Sequence, residues 1–159
     1  ILRVLGEAKI NDGKRSLVTK RAVENETALR VLLVEDNAVN QKVAQLLLKK
    51  WNCRVIAAAN GMEALAQLKE TPVDVVLMDL QMPQMDGFQT TAAIRRQEFG
   101  IARHLPIIGL TAHAMRGDRE RCLEAGMDDY LAKPIRAEEL KHLLESLHLI
   151  PGPSVLQSA

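Results

Sequence analysis

Four short apolar runs in this chain each lead to a residue able to do chemistry. Val31-Leu32-Leu33-Val34 runs into the acidic pair Glu35-Asp36, the run through Leu77 and Met78 ends on Asp79, Pro106 to Leu110 leads to Thr111, and Tyr130-Leu131-Ala132 ends on Lys133-Pro134. Carboxylates, a hydroxyl and one ammonium at strand ends describe a metal-assisted phosphoryl site, provided the fold gathers those ends. Clustered carboxylates repel one another and keep their charges together most easily around a cation. Oxygen donors without His or Cys select a hard ion, so Mg²⁺ is expected, with Mn²⁺ as the alternative. A carboxylate oxygen is also a competent nucleophile towards phosphorus, which makes Asp79 the candidate acceptor and an aspartyl phosphate the product. The negative charge of that transition state spreads over the equatorial phosphoryl oxygens, for which the metal, Lys133 and Thr111 are the expected partners.

The elements that must position these groups follow an alternating pattern from Leu29 to about Leu147. Short β-branched or Leu-rich runs alternate with helical periods, the signature of βαβ units around a parallel sheet. The expected strands are Arg30 to Val34, Arg54 to Ala58, Val73 to Met78, Pro106 to Leu110 and Asp129 to Ala132. Asn37 is placed to cap a first helix, in which Val39, Val43, Leu46 and Leu47 recur at helical spacing. Asn60-Gly61 opens a second helix with Ala64, Leu65 and Leu68 inward, and Asp86-Gly87 leads into a third that reaches about Glu98. A fourth is expected from about Met115 to Ala125, stopped by Gly126, and a fifth from about Ala137 to Leu147. Strands of a parallel sheet deliver their carboxyl ends to one edge, so Glu35, Asp36, Asp79, Thr111 and Lys133 are expected to share a pocket. The Lys133-Pro134 bond is expected to be cis, in a tight turn that aims the ammonium inward.

At 159 residues and 47% hydrophobic content the chain suits one domain with a sizeable core, built from aliphatic residues and Met because aromatics are only 3%. A net charge of +1 without a basic stripe argues against nucleic-acid binding. Cys53 and Cys122 have no metal-ligand spacing, so free thiols in a reducing compartment are expected. No run approaches the roughly 20 apolar residues of a membrane helix, and no signal peptide is visible, so no membrane contact by this chain is expected. Residues 1–28 read as a linker with a short strand at Ser16 to Thr19, residues 29–148 as the domain, and 149–159 as a loose tail.

The blocks Val31-Leu32-Leu33-Val34-Glu35-Asp36-Asn37, Leu77-Met78-Asp79-Leu80-Gln81-Met82-Pro83-Gln84-Met85-Asp86-Gly87, Ile108-Gly109-Leu110-Thr111-Ala112 and Tyr130-Leu131-Ala132-Lys133-Pro134 resemble, in order and spacing, those of two-component receiver domains. The wording around Glu35 and Asp79 is most similar to receivers attached to hybrid sensor histidine kinases. The resemblance implies an α/β, flavodoxin-like (βα)5 three-layer sandwich whose five-stranded parallel sheet has the order 2-1-3-4-5. It implies Asp79 as phosphoacceptor, Glu35 and Asp36 as metal-binding acids, and the backbone carbonyl of Gln81 as a further metal ligand. Lys133 becomes the phosphate-contacting base, and Thr111 and Tyr130 a switch pair. The implied partner is a histidine kinase dimerisation and phosphotransfer region, or a histidine phosphotransfer domain, docking by Asn37, Ala38, Asn40 and Pro134. The chain would then be cytoplasmic, as part of a kinase anchored in the inner membrane.

Plainer readings compete with several of these. Asp36 alone would serve a helix N-terminus, and Asp86 is expected to do only that. Thr111 could cap the following loop, Tyr130 could be core, and Val39, Val43 and Leu46 could face the sheet. His104, His113, His142 and His148 show no ligand spacing, although His113 lies nearest the site. Two other functions stay open: a stand-alone response regulator without its output domain, and a Mg²⁺-dependent hydrolase of the haloacid-dehalogenase type. The latter class has an acid two residues after its nucleophile, where this chain has Gln81.

Overall fold

The structure is a computed structural model that describes residues 28–98, 100, 102–113 and 117–152. The linker 1–27 with its expected strand, the start of the expected fourth helix at Met115, and the tail from 153 onward lie outside the described residues. Five strands, β1 (Arg30–Val34), β2 (Arg54–Ala58), β3 (Val75–Asp79), β4 (Ile107–Thr111) and β5 (Asp129–Ala132), alternate with five helices. The helices are α1 (Ala38–Lys49), α2 (Gly61–Glu70), α3 (Gly87–Glu98), α4 (Asp118–Glu124) and α5 (Ala137–Ser146). All pairings are parallel and the sheet order is β2-β1-β3-β4-β5, the flavodoxin-like arrangement expected.

Period-2 alternation in the strands sorts the core into two layers. Val31, Leu33, Val75, Leu77, Ile108, Leu110 and Leu131 meet Ala44 and Leu48 of α1 and Leu140 and Leu144 of α5. Leu32, Val34, Val76, Met78 and Ile107 meet Ala64 of α2, Ile94 of α3 and Cys122 of α4. The central strands β1, β3 and β4 are thus apolar on both faces, as a sheet covered on two sides requires. Leu149 and Ile150, beyond α5, pack against the first layer as well.

Two strands sit differently from their expected places, and both shifts matter for the site. Pairing of β1 with β3 begins at Val31 opposite Val75, so β3 ends on Asp79 itself, and β4 ends on Thr111. Just before β3, Asp74 is occupied with Arg30, accepting from its main-chain N–H and from its guanidinium at 2.7 and 2.9 Å.

Local chemistry starts and stops the helices as the sequence expects. Asn37 Oδ1 accepts from the N–H groups of Val39 and Asn40, Asn60 caps α2, and Asp86 and Gln89 exchange hydrogen bonds at the start of α3. Gly126 stops α4 at φ 93, with Gly126 N–H donating to Leu123 and Met127 N–H to Cys122, the paired bonds that end a helix in the left-handed region. The plainer reading of α1, in which Val39, Val43 and Leu46 face the sheet, does not hold. Ala44 and Leu48 are buried, whereas Val39 is 71%, Leu46 52% and Val43 47% exposed. The stripe that α1 buries against the first core layer is therefore narrow, with Ala44 and Leu48 at its centre.

Candidate functional site

The sheet order reverses between β1 and β3, and a crevice opens there beyond the carboxyl ends of the strands. Register places the site residues around it: Val34 pairs with Met78, Asp79 with Leu110, and Thr111 with Ala132. Glu35 and Asp79 are therefore neighbours across β1 and β3, Lys133 follows the end of β5 two strands from β3, and the three side chains meet. Lys133 Nζ lies 2.7 Å from Asp79 Oδ2 and 2.8 Å from Glu35 Oε2. Both carboxylates are buried, at 2% and 3% exposure, and Asp36 stands exposed beside them. Carboxylate oxygens of Glu35, Asp36 and Asp79 all lie within 4.8 Å of one another, among the described residues the one such cluster of acids, His or Cys.

Each group is held by its own local structure. Glu35 Oε1 accepts from the main chain of Asn37 and the side chain of Asn40, both at 3.2 Å, and Gln41 donates to the Glu35 carbonyl. Asp79 Oδ1 accepts the Gln81 N–H at 3.0 Å. Lys133 N–H donates to the Thr111 carbonyl at 2.7 Å, extending the β4–β5 ladder by one bond, and the Lys133-Pro134 bond is cis as expected. Burial raises the Asp79 carboxyl above the usual range, against the opposing hydrogen bonds from Lys133 and Gln81 N–H. Burial pulls Lys133 down, but the hydrogen bonds to Asp79 and Glu35 outweigh it and leave the ammonium more basic than usual. Three carboxylates face one ammonium, so this end of the sheet is short of positive charge.

Thr111 is buried at the end of β4, but its hydroxyl is engaged in the following loop. It donates to the His113 carbonyl at 2.9 Å, approaches Asp118 Oδ2 at 3.4 Å, and accepts the His113 N–H. Tyr130 is half-buried on β5, in register with Gly109, and packs against the second core layer. Asp86 caps α3, as its plainer reading expects.

The docking residues separate into two kinds. Asn37 spends its side chain on capping α1 and Asn40 holds Glu35, whereas Ala38 and Pro134 are exposed. Beside Pro134 a cavity of about 90 Å³ is lined by Glu35, Asn40, Val43, Ala44, Lys133, Pro134 and Ile135. Sequence reasoning missed Gln41 and the holding role of Asn40, although Asn37 and Asn40 stand one helical turn apart. It also missed Gly87, whose place against Asp79 is a matter of packing.

The receiver pattern has wide company among known proteins. The sensor histidine kinase GacS of Pseudomonas protegens is 42% identical over 146 residues, covering 86% of this chain but 16% of that protein. Histidine kinase 1 of Arabidopsis thaliana is 37% identical over 82% of this chain and 13% of its own length, so the chain spans a small fraction of these relatives. Among solved structures, the receiver domain of a Pseudomonas aeruginosa sensor histidine kinase, crystallised with magnesium in its active-site cleft, is 46% identical at a TM-score of 0.67. That match covers 75% of this chain and 96% of the other. The receiver domain of the yeast response regulator Ssk1, crystallised with the histidine phosphotransfer protein Ypd1, is 32% identical at a TM-score of 0.69, over 78% and 93% of the two chains. The model of the response regulator receiver domain matches residues 31–145, and with the fold and the strand-end site it shows that this chain belongs to that family.

Proposed function

We propose that the chain is the phosphoacceptor module of a hybrid histidine kinase, taking a phosphoryl group from a phosphohistidine onto Asp79. The contact of one ammonium, Lys133, with both Asp79 and Glu35 carries the reading. It marks Asp79 as a buried carboxylate next to a cation that can follow the arriving phosphoryl oxygens. The phosphorus–nitrogen bond of the donor breaks as a bond from phosphorus to an Asp79 oxygen forms, and the leaving imidazole takes up a proton. Lys133 balances charge on one phosphoryl oxygen, and Thr111 donates to another once its hydroxyl leaves the loop. Tyr130 then has room to turn inward.

The donor set fits a hard divalent ion: clustered oxygens, buried charge and a deficit of cations. Asp36, Asp79 and the Gln81 carbonyl would hold Mg²⁺ or Mn²⁺, with Glu35 acting through water. Bound there, the ion supplies the positive charge that lets three carboxylates and a phosphoryl group coexist. The magnesium in the Pseudomonas aeruginosa receiver supports this assignment.

The donor is a helical protein that presents its histidine across α1. Val39, Val43 and Leu46 form an exposed apolar stripe leading to the cavity beside Lys133 and Pro134, which suits a partner helix laid against α1. The yeast receiver crystallised with a histidine phosphotransfer protein supports the same kind of partner. Relatives that are long sensor kinases favour the hybrid parent over a separate regulator, with the receiver on the cytoplasmic side. No helix among the described residues is long and apolar enough to cross a membrane.

Incubation with Mg²⁺ and acetyl phosphate tests the reading. The wild-type chain gains one base-labile phosphate by mass and Asp79→Asn gains none; equal labelling of both would place the acceptor elsewhere.

A further inference from the structure

We propose that Asp118 is a positioning residue that keeps the Thr111 hydroxyl in its resting place and so sets how readily Asp79 is phosphorylated. The inference rests on the reading of Asp79 as the acceptor. A threonine hydroxyl has one proton to give. That of Thr111 faces two acceptors, the His113 carbonyl at 2.9 Å and Asp118 Oδ2 at 3.4 Å, and neither belongs to the Asp79 pocket. To reach a phosphoryl oxygen on Asp79, the proton must give up both. The carbonyl is present whatever the sequence; the carboxylate is present only because residue 118 is Asp.

Asp118 also has contacts of its own besides the threonine. It opens α4, and its Oδ1 lies 3.9 Å from Arg121 Nη1, while the Arg121 guanidinium sits 5.1 Å over the ring of Phe88 on α3. The carboxylate thus stabilises the resting position of Thr111 and contributes nothing to the phosphorylated one. Removing it shifts the equilibrium between the two positions towards the second. One long hydrogen bond out of two is a modest restraint, and the shift is correspondingly modest.

Rates of labelling by acetyl phosphate at saturating Mg²⁺, with amide NMR spectra of the unphosphorylated proteins, test the proposal. Asp118→Ala should label about two- to fivefold faster, the change expected from one weak hydrogen bond. Its Thr111 and Tyr130 signals should already lie part of the way towards their phosphorylated positions. Asp118→Asn, which keeps an acceptor oxygen but no charge, should label at close to the wild-type rate. In a Thr111→Ala background the effect of Asp118→Ala should vanish, because the group it restrains is gone. An unchanged rate in Asp118→Ala would overturn the proposal, and so would equal acceleration by Asn and Ala, which would reveal only relief of charge repulsion. Wild-type protein that takes no phosphate on Asp79 would overturn the acceptor reading along with it, whereas a labelled wild type with an unresponsive Asp118→Ala overturns this proposal alone.

Discussion

Gly87 packs against the main chain of Asp79 so closely that a β-carbon on it would stand 2.3 Å from the Asp79 carbonyl oxygen and 2.9 Å from the Leu80 α-carbon. The contact is reinforced by Gly87 N–H donating to the Leu80 carbonyl at 3.2 Å. The first turn of α3 thus forms the back wall of the segment that carries Asp79, the proposed acceptor, and the wall is backbone, which cannot give way as a side chain could.

Gly87→Ala should therefore both destabilise the protein and misplace Asp79. Forcing a methyl group into a packed backbone contact costs about 1–3 kcal/mol, and a displaced acceptor slows labelling by about tenfold or more. Urea unfolding and acetyl phosphate labelling measure the two effects. Wild-type stability and rate together would show that the contact has slack.

Lys133→Met should leave Glu35 and Asp79 as buried, unpaired carboxylates. The expected loss in the presence of a chelator is about 3–5 kcal/mol, the scale of breaking a buried ion pair from one side. Because the variant has one more uncompensated negative charge, added Mg²⁺ should recover part of that loss and bind more tightly than to wild type. Identical unfolding midpoints with and without Mg²⁺ would separate the acids from the metal.

The partner prediction turns on which donor is slowed. Ala38→Arg, at the exposed start of α1, should slow transfer from a phosphohistidine protein by about tenfold or more while leaving labelling by acetyl phosphate near the wild-type rate, since only the larger donor buries that surface. Equal slowing of both donors would place the defect in the pocket.

Acid should weaken the other end of the sheet. Hydrogen bonding and the positive charge of Arg30 hold the Asp74 carboxyl below the usual carboxylate range, against its partial burial. A carboxyl lowered by folding adds stability above its ordinary unfolded value, and that stability is lost as the pH falls through the lower folded value. Asp74→Asn should thus unfold at lower urea than wild type at pH 7, and the two midpoints should converge in strong acid. A gap that persists there would assign the effect to packing.

The amino-acid sequence determined the parts of this protein that depend on near neighbours in the chain. Apolar runs such as Val31 to Val34 identify strands buried on two faces, and Asn37, Asn60, Asp86 and Gly126 act within a few residues of themselves, so their caps and stop were legible. The place of the acids at the strand ends was legible for the same reason: an acid directly after an apolar run is visible without knowing what lies beside it. Tertiary structure alone decided which groups touch. Lys133 bridges Glu35 and Asp79 because β1, β3 and β5 end at one edge in a particular register, and Gly87 is required by a surface that Asp79 provides. The exposed Val39, Val43 and Leu46 show the same limit, since helical spacing reports that one face is apolar but not how much sheet is left for it to cover. Thr111 is held by Asp118 only once α4 is in place, and α4 is placed by its packing against the sheet. Such relationships depend on distances between segments far apart in the chain, which the packing of the core sets and no local pattern encodes.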